Sequence, residues 1–342
     1  LDLMNSGTSL NLVAAVAALG SFSTVLDGDD SLRSRPVQPL LDALNQLGAK
    51  AVSLNNGRPP IRISGVLRGG KACVDGINSQ FVSSVLIASP LAAGDTELTV
   101  ANLHEAPYVE MTLGWLDEQN IDYQRNDDLT WFHIKGRQHY HAFSKRIPGD
   151  WSSATFPLVA AAICDSDVLI QGLELNDTQG DRAVLDYLRL MGVPIEIESS
   201  GIRIRGGGKL RGVCLDLNQT PDALPAMAVL GCLAEGTTVL GNVPQARIKE
   251  TDRLSVMAAE LTKLGARVQE LKDGLILHQS KLQGTTVDGH RDHRVVMALT
   301  LAGLRAEGRT TVSTAEAAGV TFPEFFDKLS RLGAQVELKE EP

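Results

Sequence analysis

The amino-acid sequence predicts an α/β fold assembled from repeats of roughly 70 residues. Two observations predict it. One order of helix-like and strand-like patterns recurs five times along the chain. The first strands of these recurrences lie 74, 70, 70 and 72 residues apart, at Val25, Thr99, Leu169, Val239 and Thr311. Chance similarity between unrelated α/β segments does not give such constant spacing, so we interpret them as true repeats.

Each repeat opens with a short polar stretch and a helix of small apolar residues. The five openings begin at Asn5, Asn78, Trp151, Thr220 and Asp292. In four of them a turn containing Gly or Asp comes next and leads into a β-branched run, which is typical of a strand. Each repeat therefore begins helix, turn, strand.

A second, longer amphipathic helix follows within each repeat and ends at a glycine, the residue that favours a left-handed cap. We predict these helices at Pro39–Gly48, Asp181–Gly192, Thr251–Gly265 and Pro323–Gly333. Strand, turn and strand come next, so the repeat is α-β-α-β-β plus one further strand. Four repeats are expected to be whole, and the last to end after its second helix and one strand. Because the chain starts at a first helix, we expect an opening portion of the fold to be absent.

Composition excludes several classes of protein. The 342 residues suffice for two domains, and no run approaches the roughly 20 apolar residues of a membrane span. A net charge of −9 without a basic block, together with 4% aromatic residues, argues against nucleic-acid binding. No signal peptide is recognisable, and none of the cysteines forms a C-x-x-C pair, so we expect a cytoplasmic protein with reduced thiols. Motifs of hydrolases, P-loop proteins and dinucleotide-binding proteins are missing.

Several helix openings are built alike and could bind anions. Asn5-Ser6-Gly7-Thr8, Asn78-Ser79-Gln80 and Trp151-Ser152-Ser153 combine hydroxyl, amide and small residues at predicted helix starts, where free N–H groups attract negative charge. Simple N-capping explains any one of them. The shared construction favours a common anionic ligand.

Basic side chains add to this pattern. Arg35, in Arg33-Ser34-Arg35-Pro36, could grip a carboxylate or phosphate with its planar fork. The segment Arg247–Arg253 carries five charges in seven residues. If it is helical from about Lys249, Lys249 and Arg253 share a face and repel each other unless an anion bridges them. A solvated, salt-bridged helix start is an equally good interpretation.

The triplet Asp292-His293-Arg294 stands directly before an apolar helix, so charges adjoin a buried surface. The spacing of His290 and His293 suggests metal binding, but two histidines without further ligands are weak evidence, and we expect no metal. Asp222 lies where a helix-capping carboxylate is common. Only the other candidate site motifs in the chain suggest that it has a catalytic role.

With these motifs in view, the chain resembles the EPSP synthase (3-phosphoshikimate 1-carboxyvinyltransferase) family over essentially its whole length. The signatures run, in chain order, through Asn5-Ser6-Gly7-Thr8, Arg35-Pro36, Asn78-Ser79-Gln80-Phe81, Pro107-Tyr108, Gly149-Asp150-Trp151-Ser152-Ser153, Pro221-Asp222-Ala223, Lys249-Glu250-Thr251-Asp252-Arg253, Asp292-His293-Arg294 and Thr321-Phe322-Pro323.

The resemblance implies a two-domain inside-out α/β barrel built from repeated βαβαββ units, with the first unit largely missing. Six such units need roughly 430 residues, so about 90 are expected to be absent. We predict an incomplete first domain over 1–148, a second over 149–342 and an active site in the cleft between them.

The resemblance also implies a reaction. Members of the family transfer the enolpyruvyl group of phosphoenolpyruvate to the 5-hydroxyl of shikimate 3-phosphate and release phosphate, without a metal or cofactor. The pathway leads to chorismate and the aromatic amino acids, and the family is the target of glyphosate. The implied partners are the two small-molecule substrates and the missing N-terminal segment. No nucleic acid or membrane is expected to bind, and the protein should be a monomer.

Matching motifs carry over the implied residue roles. Phosphoenolpyruvate would be bound by Gly7, Arg35, Gln80, Arg253 and Arg294. Shikimate 3-phosphate would be bound by Asn78, Ser79, Gln80, Asp222 and Lys249. Asp222 would take the proton from the attacking hydroxyl, and Glu250 would serve proton transfer at the methylene carbon. Weaker candidates for the site are Gln245, Tyr108, Asp292 and His293.

The chain departs from the family pattern at several positions, and two other functions stay open. Asn11, Glu105 and Val320 occupy positions where the family commonly has Arg, a small hydroxyl residue and Lys. The sister UDP-N-acetylglucosamine enolpyruvyl transferase shares the fold and chemistry, but the 78–80, 249–253 and 292–294 motifs favour the shikimate enzyme. The other alternative is a catalytically incomplete fragment or subunit that only binds anions.

Overall fold

The structure, a computed structural model, describes residues 1–340. The chain divides into two compact α/β units, Leu1–Arg146 and Ile147–Pro342. The predicted domain boundary, after residue 148, lies two residues from this division.

Unit 1 contains two sheets and the helices that pack on them. Its elements are α1 (Gly7–Ala17), β1 (Thr24–Leu26), α2 (Asp30–Ser34), α3 (Gln38–Gln46), β2 (Lys50–Asn55), β3 (Arg58–Ser64), β4 (Gly70–Asp75), α4 (Ser79–Ala88), β5 (Thr96–Ala101), α5 (Ala106–Glu118), β6 (Tyr123–Arg125) and β7 (Trp131–Ile134). The strand orders are β1-β3-β2 and β4-β5-β7-β6. Only β4 and β5 pair in parallel here.

Unit 2 repeats the arrangement. Its elements are α6 (Trp151–Ile163), β8 (Asp167–Ile170), α7 (Val184–Leu190), β9 (Ile195–Glu198), β10 (Gly201–Arg205), β11 (Cys214–Asp216), α8 (Leu224–Leu233), β12 (Thr237–Gly241), α9 (Arg253–Lys263), β13 (Arg267–Leu271), β14 (Gly274–His278), β15 (Thr286–Asp288), α10 (His293–Arg305), β16 (Thr311–Ser313) and α11 (Phe325–Arg331). The strand orders are β8-β10-β9, β11-β12-β14-β13 and β15-β16.

The first helix of each repeat forms the core of its unit. In unit 2, α6, α8 and α10 pack against one another and are buried along almost their whole length. Small residues such as Ala226, Ala228 and Gly231 in α8 let these helices approach closely. The sheets cover the helices with one face; in β10, Ile202 and Ile204 point inward while Arg205 is exposed. Helices inside and sheets outside confirm the predicted inside-out α/β fold.

The repeat is confirmed in its main features. All five first-strand positions lie in strands, namely β1, β5, β8, β12 and β16. The glycines at the ends of four second helices adopt the left-handed conformation, with φ between 84° and 99°, at Gly48, Gly192, Gly265 and Gly333.

Three details of the predicted repeat were wrong. The second repeat has no closing strand, since residues 135–150, most of which are exposed, form neither helix nor strand. The strand expected after α11 does not form within the described residues, because 334–340 are mostly exposed. The second helices are not consistently longer; α7 has seven residues because Gly180–Ala183 forms a separate 3-10 turn.

No helix among residues 1–340 combines the length and the apolar character that crossing a membrane requires.

Candidate active site

In unit 1, α1 and α4 begin beside each other, and both are capped from within. The Ser6 hydroxyl accepts a hydrogen bond from the N–H of Ser9 at 3.1 Å. The Asn78 side chain does the same for the N–H of Gln80 at 3.0 Å. Both openings therefore use N-capping, the simpler of the two interpretations of these motifs.

The Gln80 amide joins the two helices. Its Nε2 donates to the Thr8 hydroxyl at 2.8 Å, and its Oε1 accepts from Asn11 Nδ2 at 2.8 Å. These bonds fix the orientation of the Gln80 side chain. The amide that is predicted to bind substrate is therefore already held in place by the protein.

Arg35 lies over the start of α1. Its Nη2 donates to Asn5 Oδ1 at 3.1 Å and to the Ser31 hydroxyl at 3.2 Å. A Cβ added to Gly7 would stand only 2.7 Å from Arg35 Nη1. Glycine at position 7 therefore leaves the space in which the guanidinium lies. The structure thus brings together Gly7 and Arg35, two of the predicted phosphoenolpyruvate ligands.

Two other predicted residues stand near the start of α4. The Ser79 hydroxyl donates to Glu105 Oε2 at 2.7 Å, and both residues are buried. Tyr108 lies one turn into α5, where its N–H donates to the carbonyl oxygen of Glu105 at 3.0 Å. Glu105 is a residue that the motifs did not place in the site.

Unit 2 contains a buried network centred on Arg253, whose side chain is 1% exposed. Its Nε donates to Asp292 Oδ2 at 2.8 Å, its Nη1 to Asp222 Oδ1 at 2.7 Å and its Nη2 to Glu250 Oε2 at 2.6 Å. Nη2 also donates to Asp292 Oδ1 at 3.1 Å. Three carboxylates distant in sequence are thus collected by one guanidinium.

The start of α9 sets the direction of that guanidinium. Asp252 caps the helix, and α9 begins at Arg253 itself, after an irregular stretch that includes Lys249. No helix begins at Lys249. Lys249 and Arg253 therefore do not share a helix face, as they would have done if the helix had started there. Arg247, in the same segment, forms ion pairs with Asp252 at 2.7 Å and with Glu270 at 2.8 Å. Its role is therefore structural.

Asp222 connects two arginines. Its Oδ2 lies 3.1 Å from Arg294 Nη2, while its Oδ1 accepts from Arg253. Burial by itself would raise the pKa of Asp222, but the positive charges of Arg294, Lys249 and Arg253 outweigh burial and hold that pKa well below its usual range. Asp222 is therefore a carboxylate at neutral pH.

Asp292 is the second anchor of Arg253. It caps α10 through the N–H groups of Arg294 and Val295, and it accepts a bond from the Thr251 hydroxyl at 3.0 Å. Burial opposes its ionisation, yet Arg253 lowers the pKa of Asp292 to about 2. Thr251 is a member of the network that sequence reasoning missed, although it lies within the Lys-Glu-Thr-Asp-Arg motif.

His293 is buried beside these arginines. Burial and then the charges of Arg294 and Arg253 lower the pKa of His293 to about 4, from 6.5. The imidazole is therefore neutral at pH 7 and adds no positive charge to the site.

We expect this histidine to make the protein less stable in mild acid. Between pH 6.5 and 4 the unfolded chain binds a proton that folded His293 does not, so stability falls as the pH is lowered through this window. The loss between pH 7 and pH 5 should be about 2 kcal/mol in the free energy of unfolding. Urea unfolding at the two pH values measures it.

The controls are a histidine variant and an exposed histidine. His293→Gln should remove most of this pH dependence, whereas His141→Gln, at an exposed position, should keep it. An unchanged slope in His293→Gln would contradict the assignment. Asp292 does not interfere, because its carboxyl takes up a proton in the unfolded chain only near its ordinary pKa of 3.8, which lies below this pH window.

A further anchor holds the loop that leads to Asp292. Glu260 on α9 is 2% exposed and accepts from Lys263 Nζ at 2.8 Å and from the N–H of Asp288 at 2.9 Å. His290 Nε2 lies 2.9 Å from its Oε1. His290 thus has a structural partner, and among the described residues no group of three His, Cys, Asp or Glu could hold a metal.

Gln245 remains apart from the network. It lies in the 3-10 turn Pro244–Ile248, is 1% exposed, and its Nε2 donates to the carbonyl oxygen of Asn218 at 2.7 Å. In unit 2, ion pairs join five of the predicted residues, namely Asp222, Glu250, Arg253, Asp292 and Arg294.

An inside-out α/β fold with arginines and carboxylates at helix starts defines a class of proteins, and solved structures of that class are similar to this chain. An EPSP synthase from Acinetobacter baumannii superimposes with a TM-score of 0.81 at 28% identity, covering 99% of this chain and 80% of that one. A second structure of an EPSP synthase from Acinetobacter baumannii gives 0.80 at 27% identity, with the same coverage.

Sequence comparison narrows the class. A model of the family "EPSP synthase (3-phosphoshikimate 1-carboxyvinyltransferase)" matches residues 1–329. The 3-phosphoshikimate 1-carboxyvinyltransferase of Acetivibrio thermocellus is 50% identical, covering 98% of this chain and 79% of the relative. That of Ruminiclostridium cellulolyticum is 48% identical, covering 99% and 80%. The chain therefore belongs to the EPSP synthase family of transferases.

These alignments give the share of each chain that is matched. They do not bear out the predicted absence of about 90 residues from the first unit.

Proposed function

We propose that this chain transfers the enolpyruvyl group of phosphoenolpyruvate to the 5-hydroxyl of shikimate 3-phosphate, releasing phosphate. The reaction is the one named for its relatives. The observation that carries the proposal is the buried network in which Arg253 joins Asp222, Glu250 and Asp292. Within it, Asp222 and Glu250 are candidate groups for proton transfer. Arg253 and Arg294, which lie beside Asp222, could bind anionic substrates.

Phosphoenolpyruvate is the proposed ligand of Arg35, Arg294 and Arg253, with Gly7 and Gln80 beside them. Planar guanidinium groups match both its carboxylate and its phosphate. The Arg253 guanidinium already has four bonds to carboxylates. A substrate oxygen would therefore contact Arg253 only by taking the place of one of those acceptors, or by adding to them at Nη1.

Shikimate 3-phosphate is the proposed ligand of Asn78, Ser79, Gln80, Asp222 and Lys249. The first three stand at the start of α4, where N–H groups favour an anion. Tyr108, Gln245 and His293 are proposed only as weaker contributors.

Asp222 is the proposed base for the attacking hydroxyl. It is ionised at neutral pH, as a base must be, but two arginines keep its basicity low. When substrate anions bind those arginines, their hold on Asp222 weakens and its pKa rises towards the range useful for proton transfer. Glu250, which accepts from Arg253 at 2.6 Å, is the proposed group for proton transfer at the methylene carbon.

Phosphate release from phosphoenolpyruvate tests the proposal. We expect release by the 342-residue chain only when shikimate 3-phosphate is also present. Release that requires UDP-N-acetylglucosamine instead would support the sister reaction. Absence of release with either acceptor would contradict the proposed activity of this chain. The cytoplasmic location, the monomeric state and the contribution of an N-terminal segment stay predictions.

A change at Gly7 should weaken binding of phosphoenolpyruvate. In Gly7→Ala the new methyl carbon would stand only 2.7 Å from Arg35 Nη1, which is too close for a non-bonded contact, so the guanidinium must move. We expect the KM for phosphoenolpyruvate to rise on the order of tenfold, which corresponds to losing one charge-assisted hydrogen bond. Steady-state kinetics at saturating shikimate 3-phosphate measures it.

Gly114→Ala is the matched control, because a Cβ at Gly114 meets nothing within 4 Å. Its KM should equal that of the unchanged protein. A normal KM in Gly7→Ala would show that the position of Arg35 does not matter for phosphoenolpyruvate.

A further inference from the structure

Glu105 places a buried acidic group at the start of α4, where an anionic substrate is proposed to bind. It is 2% exposed and adopts a left-handed backbone conformation, with φ of 55°, immediately before α5. Its side chain does not cap α5. It reaches instead to the start of α4, where Oε2 accepts from the Ser79 hydroxyl at 2.7 Å and lies 3.4 Å from the Ser79 N–H.

The donors at the start of α4 therefore already have acceptors within the protein. Ser79 directs its hydroxyl and its N–H to Glu105, and the N–H of Gln80 is bonded to Asn78 Oδ1. A phosphate bound here would need these same donors, because an anion at a helix start is held by its first N–H groups and by nearby hydroxyls. Phosphate and the Glu105 carboxylate would then compete and, at this distance, repel each other.

Capping does not explain the contact. Each first helix with a side-chain cap uses the residue just before it, as Ser6 does for α1, Asp150 for α6 and Asp292 for α10. In α4 that residue is Asn78, which makes its capping bond. The carboxylate of Glu105 comes from another helix start and is additional to that cap.

We propose that Glu105 is an affinity-determining residue of the shikimate 3-phosphate site. Its carboxylate is a built-in anion that occupies the Ser79 donors in the ligand-free protein, and a phosphate monoester binds only after displacing it. The inference rests on the proposed function in one respect, since it takes Ser79 as a ligand of the substrate phosphate. It predicts that the site binds phosphate monoesters more weakly than the donors of α4 would allow.

Two variants and a control test the inference. Glu105→Gln removes the charge and keeps the length of the side chain, whereas Glu105→Ser also removes its reach. Glu110→Gln makes the same chemical change at an exposed position on α5 and is the control. Binding of shikimate 3-phosphate is measured by calorimetry without phosphoenolpyruvate, and thermal unfolding checks that each variant folds.

We expect Glu105→Gln and Glu105→Ser to bind shikimate 3-phosphate at least tenfold more tightly than the unchanged protein, with Glu110→Gln unchanged. Unchanged or weaker binding in a folded Glu105→Gln would overturn the inference. If the unchanged protein turns over both substrates and only the tightening is absent, this inference fails and the proposed function stands. If no protein of the set binds shikimate 3-phosphate, both fail.

Discussion

Replacement of Asp222 by Asn should lower kcat by about a hundredfold or more, the usual contribution of a general base. The side chain keeps its shape, so packing changes little. It loses the negative charge that Arg253 and Arg294 now hold, and with it the capacity to accept a proton. Single-turnover measurements with both substrates bound isolate the chemical step from binding.

Asp273→Asn provides the control, because Asp273 is exposed in the turn between β13 and β14. Its kcat should be unchanged. If Asp222→Asn kept more than a tenth of the normal kcat, Asp222 would not be the base, and Glu250 would be the next residue to examine.

Replacement of Arg253 by Met should destabilise the protein by about 3–5 kcal/mol and abolish turnover. The guanidinium neutralises three carboxylates that are otherwise close together in a buried place. Without it, Asp222, Glu250 and Asp292 repel one another, or take up protons at a cost in free energy. Urea unfolding at pH 7 measures the loss.

A control variant and the dependence on pH test this prediction further. Arg305→Met changes an exposed arginine in the last turn of α10 and should alter stability by less than about 0.5 kcal/mol. The loss in Arg253→Met should also shrink at acid pH, where the unfolded chain already carries protonated carboxylates. A variant as stable as the unchanged protein at pH 7 would show that the network does not need its central cation.

Much of the fold could be predicted because its signals are local. The helices of small apolar residues, the β-branched strands and the terminal glycines each depend on a few neighbouring residues, and their spacing revealed the repeat. The predictions that were wrong concern segments whose structure depends on distant partners. Residues 135–150 were expected to supply the closing strand of the second repeat, but they form neither helix nor strand, and most of them are exposed.

Individual site residues could likewise be named from motifs, but their relations to one another could not. A helix starting near Lys249 would have put Lys249 and Arg253 on one face, but α9 begins only at Arg253, where Asp252 caps it. In the sequence Glu105 stands out only as a departure from the family pattern beside Pro107-Tyr108, and Glu260 lies in no motif. Each is identified only by the buried contacts that its side chain makes, to Ser79 and to the Asp288–His290 loop.

The order of residues along the chain is enough to predict repeated α/β units, core helices of small residues, and acidic and basic residues at helix starts. It does not say which of those charges meet, because that depends on how the helices pack. Asp222, Glu250 and Asp292 come from three different connections and converge because α8, α9 and α10 pack together at their starts. Periodicity and capping act over a few residues, whereas the pairing of buried charges depends on distances in space between segments tens of residues apart.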